Sequence, residues 1–117
     1  MGQLARLRSI ARVRWRVWSN FRKADVVLVS FPKCGRTWLR LLMGRVLAAR
    51  LGLAITDADD LTNLFKLTRD RDDVPTILVT HDDHPELKRP DQVKRSKRAY
   101  RSKKVILLVR DPRDAMV

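Results

Sequence analysis

The spacing of apolar and polar positions changes character along the chain. From residue 4 to 22, Ile10, Val13, Val17 and Phe21 fall on one stripe with Leu7 and Trp18 at its edge. Arg8, Arg12 and Arg16 line the opposite side at i, i+4 spacing, which predicts a basic amphipathic helix. Three short apolar runs follow: Val26 to Phe31, Thr76 to Thr80 and Val105 to Val109. They are rich in β-branched residues and continuous rather than alternating, the pattern of strands in a parallel sheet covered on both faces. Between the first two, the spacing predicts a helix from Thr37 to Leu51. It offers Leu41, Leu42, Val46, Leu47 and Ala49 for burial and has Gly52 as its stop. Asp60 to Leu67 reads as a second, shorter helix. Strand, helix, strand is a βαβ unit, so the fold class is α/β.

Composition narrows this picture. A length of 117 residues holds one ordinary domain, read here as a leader over residues 1–24 and a folded unit over 25–117. The 44% hydrophobic content supports a core although a third of the residues are charged. Cys34 is the single cysteine, which excludes an intrachain disulfide and a Cys/His zinc cage. No metal is expected, and a reducing, cytoplasmic setting fits. No apolar run of membrane-spanning length exists. The arginines of the leader interrupt any secretory signal, and Arg6 stands where myristoylation needs Ser or Thr.

The formal charge of +13 is unevenly placed: +11 over residues 1–50, −6 over 51–87 and +8 over 88–117. Nucleic acid, an anionic membrane surface and a small polyanion held between the basic parts are all compatible partners. The leader has no acid before Asp25, so it reads either as a membrane-surface helix or presequence, or as a helix packed on the domain with a solvated basic face. Residues 88–104 carry nine basic side chains against Asp91 and read as a solvated loop or helix. That segment lacks interleaved aromatics and base-reading motifs, so nucleic acid is not expected.

The chemistry sits in Ser30-Phe-Pro-Lys-Cys-Gly-Arg-Thr-Trp38, a tight loop between a strand and a helix. Such a junction aims free backbone N–H groups and the positive helix N-terminus at an anion. Against G-x-x-x-x-G-K-[ST], Gly35 and Thr37 match, while Ser30 replaces the first Gly and Arg36 the Lys. Lys33 and Arg36 nonetheless put two cations on the loop. Cys34 and Arg40 also have the C-x5-R spacing of Cys-dependent phosphatases. Trp38 and Leu39 would crowd such a loop, and Arg40 belongs more naturally to the helix.

With these residues in view the segment resembles the sulfotransferases that use 3′-phosphoadenosine 5′-phosphosulfate (PAPS). Their loop reads P-K-S-G-T-T-W; here it is Pro32-Lys33-Cys34-Gly35-Arg36-Thr37-Trp38. Their second block, R-x-P-[RK]-D, matches Arg110-Asp111-Pro112-Arg113-Asp114 just after the third apolar run. The resemblance covers residues 25–117. It implies a P-loop NTPase-like parallel sheet covered by helices, PAPS as co-substrate, and sulfuryl transfer to a hydroxyl or amine of a small molecule or glycan.

The resemblance also implies roles for individual residues. Lys33 looks like the loop lysine at the 5′-phosphate and the bridging oxygen, where charge grows as the S–O bond breaks. Cys34, Gly35, Arg36, Thr37 and Trp38 complete the donor loop: Gly35 admits the backbone to the anion, Thr37 donates, and Trp38 stacks on adenine. Arg110 resembles the arginine at the 3′-phosphate, where a planar fork suits a bidentate anion. His81 follows the second apolar run, and ligands sit at the carboxyl ends of parallel strands. The family's histidine there takes the acceptor's proton, a task suited to imidazole. His84 is the more distant candidate, and the lysine of the common K-T-H is replaced by Val79.

The family's next 3′-phosphate contact, a serine beyond the second block, would lie past Val117. The chain is therefore expected to be about the first half of a sulfotransferase domain, a truncated chain with its donor loop complete. The alternative is a non-catalytic nucleotide- or polyanion-binding remnant. Peripheral membrane contact through residues 1–24 is a further expectation.

Overall fold

The computed structural model describes residues 2–115. Met116 and Val117, where the expected helix after Pro112 reaches the chain end, lie outside them. The elements are α1 (Gln3–Lys23), β1 (Val26–Ser30), α2 (Arg36–Leu51), α3 (Ala58–Thr62), α4 (Leu64–Thr68), β2 (Ile77–Thr80), β3 (Lys104–Leu108) and the short α5 (Pro112–Ala115). Three 3₁₀ turns punctuate the segment between β2 and β3.

The three apolar runs form one parallel sheet in the order β2-β1-β3, with Val27 opposite Leu78 on one side and Val105 on the other. The α/β class holds. Val27 and Leu28 of the central strand are wholly buried, as continuous apolar strands between neighbours require. β3 departs from the expectation of cover on both faces: Val105, Ile106 and Leu107 are exposed. The described helices gather on the β1–β2 half, where Val26 and Ile77 pack against Leu64 and Leu67 of α4, with Met43 and Leu47 of α2 alongside.

Local chemistry explains the element ends. Gly52 takes a left-handed conformation at the C-terminus of α2, the expected stop. The expected helix over 60–67 is two short helices. Asp57 caps α3 through Asp59 N–H and Asp60 N–H, and Asn63 breaks the run and caps α4 through Lys66 N–H. Thr68 clips α4 to the sheet: its hydroxyl donates to the Leu64 carbonyl at 2.7 Å and accepts from Ile77 N–H at 3.0 Å.

The buried face of α2 also differs from the expected one. Gly44 and Ala48 are buried, whereas Leu42, Val46 and Ala49 are exposed. α2 meets α3 at close range, and a Cβ built on Gly44 would stand 1.8 Å from the Leu61 carbonyl oxygen. The smallest residue therefore sets the contact line, and the branched side chains one step around the helix face away from it.

Candidate functional site

β1 runs into a loop that only two left-handed residues allow: Lys33 at φ 63° and Gly35 at φ 88°. Gly35 adopts this conformation freely, whereas Lys33 is held in a region that L side chains rarely occupy. Gly35 is also the N-cap of α2, and no side chain caps that helix. Its leading N–H groups are therefore left for solvent or a ligand. No acid occupies the first turn of α2. It holds Arg36 instead, a cation at the positive end of the helix dipole. Partial burial and then the charge of Arg40 push the Arg36 pKa down, with Glu86 opposing weakly. An anion in the loop would relieve both strains at once. At the strand end, the buried Ser30 hydroxyl has no hydrogen-bond partner among the described residues.

Two distant segments reach this loop. His81 Nδ1 lies 2.7 Å from the Ser30 carbonyl oxygen. A carbonyl only accepts, so Nδ1 carries a proton, and in the neutral imidazole Nε2 is the nitrogen that accepts. Arg110 Nη1 donates to the Lys33 carbonyl at 3.2 Å. A cleft of about 360 Å³ results, lined by Pro32, Lys33, Gly35, Arg36, Thr37, His81 and Arg110. Six of the eight residues singled out from sequence thus share one cavity. The other two flank it. Cys34 is buried in the loop, and Trp38 stands exposed on the first turn of α2. Arg40 is turned to α3, its Nε donating to the Thr62 carbonyl at 2.9 Å, which removes it from the phosphatase-like geometry. No group of three or more His, Cys, Asp or Glu able to hold a metal gathers among the described residues.

A second cleft of about 490 Å³ meets the first at Arg36 and His81. Its walls include Val17 and Phe21 of α1, Leu78 and Val79 of β2, and Lys97 and Tyr100 of the basic segment. That segment is pinned rather than simply solvated. Asp82, next to His81, accepts from Tyr100 Oη at 2.6 Å and pairs with Lys97; Asp83 accepts from Lys88 Nζ at 2.5 Å and Lys94 N–H at 2.7 Å. Asp82 itself is left-handed at φ 62°. His84 is exposed and held by Glu86 at 3.1 Å, with its ring edge-on to His81.

The pinning depends on pH at both ends. Partial burial opposes ionisation of Asp82, but the hydrogen bonds from Lys97 and Tyr100 outweigh it and hold its carboxyl below the usual carboxylate range. Burial and then the hydrogen bond to Asp82 push the Tyr100 phenol well above its ordinary value. The Asp82 contribution to stability is present above the ordinary carboxylate pKa and lost as pH falls through its depressed folded value. The Tyr100 contribution is present below the ordinary phenol pKa and lost as pH rises through the raised one. Tyr100 is the single tyrosine, so phenolate absorbance reads it directly. Its ionisation is expected well above that of free tyrosine in the parent and to fall back toward it in Asp82→Asn. An ordinary midpoint in the parent would remove the contact.

Comparison of the chain with known protein families, with curated proteins and with solved structures finds no match. The site therefore stands on its own residues.

Proposed function

We propose that the chain forms the donor site of a PAPS-dependent sulfotransferase on a P-loop-type sheet, transferring a sulfuryl group to a hydroxyl or amine acceptor on a small molecule or glycan. One observation carries this reading: His81, oriented through Nδ1 by the Ser30 carbonyl, lies in the same cleft as the cationic loop. A base and an anion cradle at adjoining positions are what in-line transfer to a hydroxyl needs.

The residues fit such a donor. The uncapped start of α2 and the left-handed turn at Lys33 and Gly35 bring donors to one place, with the orphaned Ser30 hydroxyl buried at the adjoining strand end. Lys33 and Arg36 supply positive charge where the phosphate side of the breaking S–O bond becomes negative. Arg110 is held at the rim through the Lys33 carbonyl, where its remaining guanidinium donors would serve a second phosphate. Exposed Trp38 offers a face for a base to stack on. The acceptor takes the second cleft, which meets the first at Arg36 and His81. The acceptor's oxygen or nitrogen bonds to sulfur as the S–O bond to the 5′-phosphate breaks. Its proton passes to His81 Nε2, and 3′-phosphoadenosine 5′-phosphate leaves.

The test is calorimetry with 3′-phosphoadenosine 5′-phosphate, ADP and AMP. Hydrogen bonds to a charged group contribute about 1.5–3 kcal/mol, so the bisphosphate is expected to bind about 10- to 100-fold more tightly than AMP, and more tightly than ADP. Equal affinity for the three nucleotides would defeat the donor assignment.

A further inference from the structure

α1 is a helix of 21 residues that the rest of the described chain scarcely touches. Nothing in it is buried: Leu4, Leu7, Ile10, Val13 and Trp15 are all about half exposed or more. Only its last turns are fastened. Phe21 meets the Tyr100 ring edge-on at 5.1 Å, and Lys103 Nζ donates to the Arg22 and Ala24 carbonyls at 2.9 and 2.6 Å. The sequence alternative of a helix packed on the domain is therefore not what forms. Of the stripe expected to face the domain, only Val17 and Phe21 turn toward it, at the second cleft, while Leu7, Ile10 and Val13 are exposed.

The exposed helix has two faces of different chemistry. Between Gln3 and Lys23 it carries six arginines and a lysine and no acid. Arg8, Arg12 and Arg16 align on one side, while Leu7, Ile10 and Val17 lie on the other with Trp18 at the edge; Arg6 and Arg14 stand among these apolar positions, where a long stem lets the guanidinium reach back to a headgroup. A nucleic acid would use the charge and leave the apolar stripe in water. An uncharged apolar partner would use the stripe and leave seven cations unmatched. An anionic lipid surface meets both at once, with headgroup phosphates at the arginines, acyl chains under the stripe and tryptophan at the boundary. No described helix is long and apolar enough to cross a membrane, so α1 lies along the surface rather than through it.

We infer that α1 binds in the plane of an anionic membrane, anchoring the domain through the Phe21–Tyr100 and Lys103 contacts. This inference does not rest on the proposed nucleotide site.

The experiment is co-sedimentation of the full chain with phosphatidylcholine vesicles with and without phosphatidylglycerol, together with tryptophan emission. Binding and a blue shift are expected only with phosphatidylglycerol, weakening as salt screens the surface. The double variant Leu7→Ser, Ile10→Ser keeps every charge and changes only exposed positions. Its partitioning is expected to fall about tenfold or more, since each side chain loses several buried methylene equivalents. Its binding to heparin, a soluble polyanion, should be unchanged and so reports that the attraction from charge alone is kept. Absence of partitioning in the parent, dimerisation through α1 in its place, or full partitioning by the double variant would each overturn the inference.

Discussion

Lys33→Ala is expected to weaken binding of 3′-phosphoadenosine 5′-phosphate by about 10- to 100-fold, the value of one hydrogen bond to a charged group at about 1.5–3 kcal/mol. Two features support a loss at the upper end. Lys33 sits at the turn of the loop in a left-handed conformation, and its carbonyl receives Arg110, so its backbone position is shared with the second cation. Replacing it with alanine keeps the backbone demand and removes the side chain beyond Cβ, the ammonium included. Arg36 lies at the same cleft and is already disfavoured by burial and by Arg40, so it compensates only in part. Calorimetry in low and moderate salt separates the two contributions, because a loss that disappears on screening is long-range attraction rather than a contact. An unchanged affinity would remove Lys33 from the donor site and leave Arg36 and Arg110 as its cations.

Gly44→Ala is expected to destabilise the domain by about 1–3 kcal/mol, although alanine is the better helix former by about 1 kcal/mol. The added Cβ would meet the Leu61 carbonyl oxygen at 1.8 Å, and a backbone atom cannot swing aside as a side chain end does. α2 and α3 must therefore separate. That movement stretches the Arg40–Thr62 hydrogen bond and lifts Leu61 and Leu64, both almost wholly buried, from the core. Urea denaturation gives the sign directly. A stabilised variant would mean that the two helices are not in contact at this point. Because α2 begins at the cationic loop, a modest loss of affinity for the proposed nucleotide should accompany the loss of stability.

Much of the frame was legible along the chain because it depends on local period. The strands over 26–30, 77–80 and 104–108 are the three apolar runs to within a residue or two, and α2 begins and ends at the glycines that mark it. The loop residues Lys33, Gly35, Arg36 and Thr37 were identifiable for the same reason: a strand, a turn and a helix start are consecutive in sequence. His81 and Arg110 were legible only through the direction of a parallel sheet, which sends the ends of β2 and β3 to the side where β1 enters its loop.

What periodicity did not reveal depends on pairing between distant side chains. Asp82 and Asp83 looked like ordinary loop acids, yet they hold the segment from Lys88 to Tyr100 beside His81. The signal available was a pair of acids followed at short range by a basic run. Apolar character alone also misjudged Leu42, Val46 and Ala49, because burial follows the partner a helix meets. α2 meets α3 across Gly44, where the absence of a side chain matters more than hydrophobicity.

The sequence by itself determined the α/β class, the cationic loop and the candidate base, since each is written in neighbouring residues and the steric rules of backbone turns. Only the tertiary structure decided that Nδ1 of His81 is tied to the Ser30 carbonyl, that the basic segment is held beside the site, and that α1 touches the domain only through its last turns. Those outcomes depend on which groups meet across gaps of tens of residues, and local periodicity carries no record of such meetings.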